Sequence, residues 1–244
     1  MSIKSFKELD LQCQARVGED NGKFGINSIY LPNPVLFTQS PTYCFIGMEP
    51  SLSGNTPEAF QGLVNRGFQN FLCSEGDFTL HYCAFHFLCF GSFDYHITDI
   101  SKGAMNTGIA NDFRKERWAD WLTILQQELM FLNASRLIAI GSVSKKFMET
   151  NGFSLACSIT HYSQNNSGYF SRCYENLQES LPANLHRTLK EFADNLLDSL
   201  NYPKALKAEI LSNIFNKELT PWKQGRFLNY RDTFSVIANS NAAK

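Results

Sequence analysis

Residues 43–54 read YCFIGMEPSLSG. The unbroken apolar run from Tyr43 to Gly47 suits a strand buried on both faces, and Pro50, Ser51, Ser53 and Gly54 mark the loop into which it runs. Gly47, Met48 and Glu49 therefore stand at a strand end. The pattern returns at 136–141, RLIAIG, with Ser142 available to cap the helix SVSKKFMET that follows. YHITDI at 95–100 reads as another buried strand, and LACSITHYS at 155–163 as a fourth that ends in polar residues. Helical spacing fills the intervals. Phe60, Leu63, Val64, Phe68, Phe71 and Leu72 follow Thr56 as N-cap and Pro57 as first helical residue. Trp118, Trp121, Leu122, Leu125, Leu129 and Leu132 share one face between Lys115 and Leu132. Four strands separated by helices predict an α/β fold with a central four-stranded parallel sheet, whose ligand site lies at the carboxyl ends of the strands. Glu49, Asp99, Gly141 and His161 fall there.

Beyond Pro182 the chain reads as helical, with a restart after Pro203 to about Leu219 and a glycine-containing tail from Thr220 to Lys244. The 244 residues divide into a domain over 1–180 and a helical C-terminal extension over 181–244 packed on it. Hydrophobic residues at 43% against charged residues at 18% exclude disorder for most of the chain. Lys+Arg 22 against Asp+Glu 23 excludes a globally basic nucleic-acid coat and leaves only a local basic face. The start, MSIKSFKELDLQCQARVGED, lacks the apolar core of a signal peptide. The longest aromatic run, YCAFHFLCF at 82–90, is far shorter than the ~18 residues a membrane span needs. Seven cysteines without a CxxC pair fit free thiols in a reducing cytoplasm. The same lack of a close pair makes His81, Cys83, His86 and Cys89 aromatic core rather than a metal or iron–sulfur site.

FIGMEPSLSG at 45–54, YHITDISKG at 95–103, SRLIAIGSVSKKFM at 135–148 and ITHYSQNN at 159–166 together resemble the strand-end motifs of the uracil-DNA glycosylase superfamily. The resemblance spans roughly residues 40–175 and keeps the family's order. It implies a three-layer α/β/α sandwich and metal-free, cofactor-free hydrolysis of a base's N-glycosidic bond in DNA. Glu49 stands where relatives keep Asp or Asn to position the attacking water, and a carboxylate there would stabilise the oxocarbenium-like sugar. His161 stands where the family's histidine donates to the pyrimidine O2, a role that neutral imidazole fills. Gly47, Met48, Pro50, Ser51, Asp99 and Ser163 are the implied substrate-binding residues, and Gln164, Asn165 or Tyr169 and Arg172 the candidates for DNA wedge and phosphate clamp.

The departures from the pattern bear on specificity. Tyr162 replaces the family's Pro, and Ser51 stands where uracil-specific members carry a Tyr that crowds C5. Asp99 stands where many members read the base with Asn. An ionised Asp only accepts hydrogen bonds, which matches the N4 amino group of cytosine. These two positions point to a bulky 5-substituted cytosine, such as glucosylated hydroxymethylcytosine in phage DNA, and hence to an anti-phage role for a cytoplasmic monomer. Competing readings stand beside each residue: a capping carboxylate for Glu49, a satisfied structural histidine for His161, a serine turn for Ser163, and a cap or ion pair with Lys102 for Asp99. At the level of function they are ordinary uracil repair and a non-catalytic DNA-binding module. Residues 203–231, with Lys204, Lys207, Lys217, Lys223, Arg226 and Arg231 among aromatics, suit phosphate contact or a solvated helix face.

Overall fold

The computed structural model describes residues 3–37 and 40–242. The chain packs as two compact units. Unit 1 takes the described parts of Met1–Pro34, Thr38–Asn70 and His96–Ser158, and unit 2 takes Val35–Phe37, Phe71–Tyr95 and the described part of Ile159–Lys244. The segment after residue 181 thus packs in one unit with 71–95 and 159–180, a different division from the boundary at 180 that the sequence suggests. Among the described residues no helix is long and apolar enough to cross a membrane.

In chain order unit 1 begins with α1 (Phe6–Phe24) and the short strand β1 (Ile29–Tyr30), followed by β2 (Tyr43–Gly47) and α2 (Pro57–Asn65). Unit 2 then supplies α3 (Glu75–Cys83) and a π-helical turn, Ala84–Leu88. The chain continues through β3 (Tyr95–Asp99), β4 (Gly103–Ala104), α4 (Thr107–Leu132), β5 (Arg136–Ile140), α5 (Ser142–Thr150) and β6 (Leu155–Ile159). A 3₁₀ turn, Gln164–Asn166, leads to α6 (Ser167–Leu177), α7 (Leu185–Ser199), α8 (Lys204–Ile214) and α9 (Pro221–Ala242).

The sheet is four-stranded and parallel in the order β3-β2-β5-β6, flanked by helices. Its burial follows from position. Every residue of β2, a central strand, is buried, whereas β6 at the edge alternates between more and less exposed residues. The four expected strands start where the sequence places them, and α5 spans the residues expected. Its cap differs. Gly141, at φ 90°, takes the N-cap position and Ser142 is the first helical residue, because the turn off β5 needs a positive φ that serine disfavours. Thr56 does cap α2, accepting from Ala59 N–H at 3.3 Å, but α2 ends at Asn65 rather than near Leu72.

Unit 1 is tied together by buried charge as well as by apolar packing. Asp20 of α1 accepts from Arg117 Nε at 3.1 Å and Trp121 Nε1 at 2.8 Å, both on α4. Deeper, Lys102 Nζ donates to Glu128 at 2.7 Å, Thr98 Oγ1 donates to the other oxygen of Glu128 at 2.8 Å, and Asn33 Nδ2 donates to Thr98 at 2.9 Å. Burial alone would raise the Glu128 carboxyl, but the Lys102 charge and the bonds from His96 and Lys102 outweigh it and hold the group below the usual range. Lys102→Met is expected to lower the unfolding free energy of unit 1 by about 3–5 kcal/mol, because it strands a buried carboxylate. Urea titration of the single variant beside Lys102→Met/Glu128→Leu checks this. The double variant should recover most of the loss, and equal losses in both would refute the ion-pair account.

Unit 2 is helical, with α9 packed against α3, the π turn and α6. The glycine-containing tail expected from Thr220 is instead a 22-residue helix that buries Phe227, Leu228, Tyr230, Phe234 and Ala238. Tyr169 and Arg172, offered by the sequence as wedge and phosphate clamp, lie on α6. The aromatic run at 80–90 is core: His81 is fully buried between the Tyr95 hydroxyl at 2.9 Å and the Phe71 carbonyl at 3.0 Å, and the Cys83 thiol donates to the Phe227 carbonyl.

Candidate functional site

In a parallel sheet ordered β3-β2-β5-β6, the order in which the chain adds strands reverses between β2 and β5, and such a switch point opens a crevice at the carboxyl ends of the two strands. Gly47, Met48 and Glu49 lie at that end of β2, and Gly141 at that end of β5. The backbone there is laced to the loop after β3: the Gly47 carbonyl accepts from Ile100 and the Met48 carbonyl from Ser101, both at 3.2 Å. Pro50 O accepts from Met105 N–H at 3.3 Å and Ser51 forms an isolated bridge with Met105, which leaves the Ser51 side chain exposed.

The Glu49 side chain is only 5% exposed. Arg114 holds it in a fork, with Nε 3.0 Å and Nη2 2.5 Å from Oε1, while Trp118 Nε1 donates to Oε2 at 2.9 Å. Arg114 and Trp118 are four residues apart on α4, so one helix face presents both, and the guanidinium sits 5.4 Å from the indole centroid. Arg114 Nε also reaches Oε2 at 3.3 Å, so each carboxylate oxygen accepts from two donors. Neither partner of Glu49 is evident in sequence. Asp99 is buried and its Oδ2 accepts from Asn70 Nδ2 at 2.8 Å, which also donates to Asn33 Oδ1 at 3.0 Å. Lys102 donates to the main-chain carbonyl of Asp99 and pairs with Glu128.

The second constellation lies in unit 2. His161 follows β6 by two residues, and its Nδ1 accepts from Ser163 N–H at 3.1 Å. An acceptor at Nδ1 puts the proton of neutral imidazole on Nε2, which has no partner among the described residues. Burial, reinforced by the Arg226 charge, pushes the imidazole down to about 4. The surrounding loop is fixed from several elements. Tyr162 stacks on His161 at 4.8 Å, and its carbonyl accepts from Arg226 Nη1 at 2.8 Å. Arg226 also pairs with Glu75 of α3, and Tyr230 donates to the Thr160 carbonyl at 2.6 Å. A Cβ on Gly76 would lie 2.8 Å from the Tyr162 ring, so α3 needs glycine there to admit the tyrosine. Glu75 and Gly76 escaped the sequence reading, and nothing in their local pattern marks them.

The remaining DNA-contact candidates are dispersed. Asn165 and Arg172 are exposed on the 3₁₀ turn and α6, and the Gln164 side chain falls outside the described part of the structure. Of the basic stretch, Arg226 and Arg231 are tied up internally, Arg231 with Asp232 and Ser180, and Lys207 pairs with Asp194 and Asp198. Lys204 and Lys217 are exposed.

His81 shares with His161 a proton affinity lowered to about 4 from an ordinary 6.5, in its case by burial. Each imidazole takes up its proton near pH 6.5 when unfolded and near 4 when folded, so between those limits the unfolded chain binds more protons and stability falls as pH falls. His81 alone should remove ~3 kcal/mol over that window, with a smaller share from the partly exposed His161. Urea midpoints between pH 7 and 4.5 check the slope, and His81→Gln should flatten it. An unchanged slope in that variant would refute the assignment.

No protein-family model matches the chain, and no curated protein or solved structure matches it.

Proposed function

We propose that the chain is a monofunctional DNA glycosylase of the uracil-DNA glycosylase type, a hydrolase that frees a flipped-out pyrimidine and leaves an abasic site. The observation that carries this reading is His161: a neutral imidazole whose Nδ1 is occupied by the Ser163 amide and whose Nε2–H is left to donate. In the proposed reaction water adds to C1′, the C1′–N1 bond breaks, and the bond's electron pair moves onto the base. Nε2–H stabilises the charge that develops on O2. The sequence resemblance assigns Glu49 to this reaction as the carboxylate that stabilises the sugar cation, and the proton that the water loses ends on N1 of the freed base. Arg114 and Trp118 are its positioning residues. The small, exposed Ser51 side chain supports a substrate substituted at C5, with 5-substituted cytosine and an anti-phage role in the cytoplasm as the fullest form of the proposal.

One observation favours a second reading. The ion pair with Arg114 offsets the Glu49 charge, as it would in a non-catalytic DNA-binding module. Oligonucleotides carrying uracil, 5-hydroxymethylcytosine or its glucosylated form, incubated with excess protein and then treated with alkali, separate the possibilities. Strand breaks at the cytosine derivatives are expected. Breaks at uracil alone would move the function to uracil repair, and retained DNA affinity with no breaks would move it to the binding module.

A further inference from the structure

Within unit 1 a groove of about 630 Å³ runs between α4 and α5, inside the ~300–1,000 Å³ range of small-molecule sites. Its floor is aromatic and aliphatic. Trp118 meets Phe147 edge to face at 5.1 Å, and Val143 beside them is 44% exposed. Its rim is basic: Arg114, Lys115 and Lys146 line it, and no carboxylate does. Arg114 already has Glu49 as a counter-ion. Lys115 and Lys146 are exposed and form no ion pair among the described residues.

Apolar walls explain a groove, but not two unpaired lysines beside an arginine. Like charges gathered at one rim repel one another, and an anion relieves that repulsion. The rim carries more than one uncompensated positive charge. That matches a phosphate monoester, at roughly −1.5 to −2, better than a single carboxylate. The half-buried Phe147 ring suits a planar base, since base–aromatic stacking contributes roughly 1–3 kcal/mol per base. The geometry points to a binding site for a free mononucleotide, its base against Phe147 and its phosphate among Arg114, Lys115 and Lys146. The site shares Arg114 and Trp118 with the Glu49 constellation, but its ligand is a free nucleotide rather than a base in DNA, so it does not rest on the glycosidic chemistry proposed above.

Isothermal titration calorimetry with AMP as the probe tests this on the full chain. AMP should bind one to one, and adenosine and inorganic phosphate should each bind at least about tenfold more weakly, because each supplies half of the recognition. Lys146→Glu should weaken AMP at least about tenfold. Lys145→Glu should not, because Lys145 lies outside the groove and pairs with Glu149. Both residues are exposed, so circular dichroism should show the variants folded. No heat at millimolar AMP would overturn the proposal. So would adenosine binding as well as AMP, equal losses in the two variants, or a Lys146-dependent affinity for single-stranded DNA without affinity for AMP. Failure of every base-release assay leaves this result unaffected.

Discussion

Gly225→Ala is expected to unfold unit 2 or to destabilise it by more than the ~1–3 kcal/mol typical of overpacking. In an exposed helix the same exchange stabilises by about 1 kcal/mol, because alanine is the better helix former. Here the sign reverses. A Cβ at residue 225 would overlap the Phe170 carbonyl oxygen and lie 2.8 Å from the Phe170 carbonyl carbon and 2.9 Å from the Tyr174 nitrogen. These are backbone atoms of α6, so no side chain can swing away, and α6 and α9 would have to separate. The next residue, Arg226, carries the bonds to Tyr162 and Glu75, so the His161 loop would lose its support as well. Gly168→Ala is the matched control on α6, with open space where its Cβ would sit. Urea unfolding of the two variants should show a large loss in the first and a change within about 1 kcal/mol in the second. Similar midpoints would mean that the helices do not approach as described.

His161→Ala is expected to slow single-turnover base release by about 10²- to 10³-fold, the usual cost of removing one donor from a developing oxyanion. The loss should appear in the chemical step and leave DNA affinity nearly unchanged, since the donor matters chiefly once charge has built up on the base. The rate should also be flat from pH 8 down to about 5, because the imidazole stays neutral until pH approaches 4. A rate that follows an imidazole titrating near 6.5 would contradict the assigned protonation state.

What the sequence disclosed, and what it withheld, follows from the range of the interactions involved. The strands beginning at Tyr43 and Arg136 announce themselves because burial on both faces demands unbroken apolar runs, and α5 because its boundaries carry local signals. Other helices give no such signal. The face that α1 buries, Leu9, Cys13, Val17 and Asp20, includes a carboxylate that Arg16 meets from one turn before it, while its other donors, Arg117 and Trp121, reach it from about a hundred residues away. Gly225 reads as a helix breaker, yet it sits inside α9 where α6 leaves no room for a side chain. Gly168 and the asparagines before it similarly disguise the start of α6. Glu49 and His161 stand out at strand ends. The Arg114 fork on Glu49 spans 65 residues and the Arg226 contact to Tyr162 spans 64, distances over which local spacing carries no information.

Release of the free base is the most direct test. An oligonucleotide carrying 5-hydroxymethylcytosine, its glucosylated form or uracil is incubated with excess protein, and the products are separated by chromatography. The account predicts free modified base and an intact sugar–phosphate backbone with the wild-type chain, and at least about a hundredfold less base in the same time with His161→Ala. No free base from any of the three substrates, or equal release by the two proteins, would contradict it.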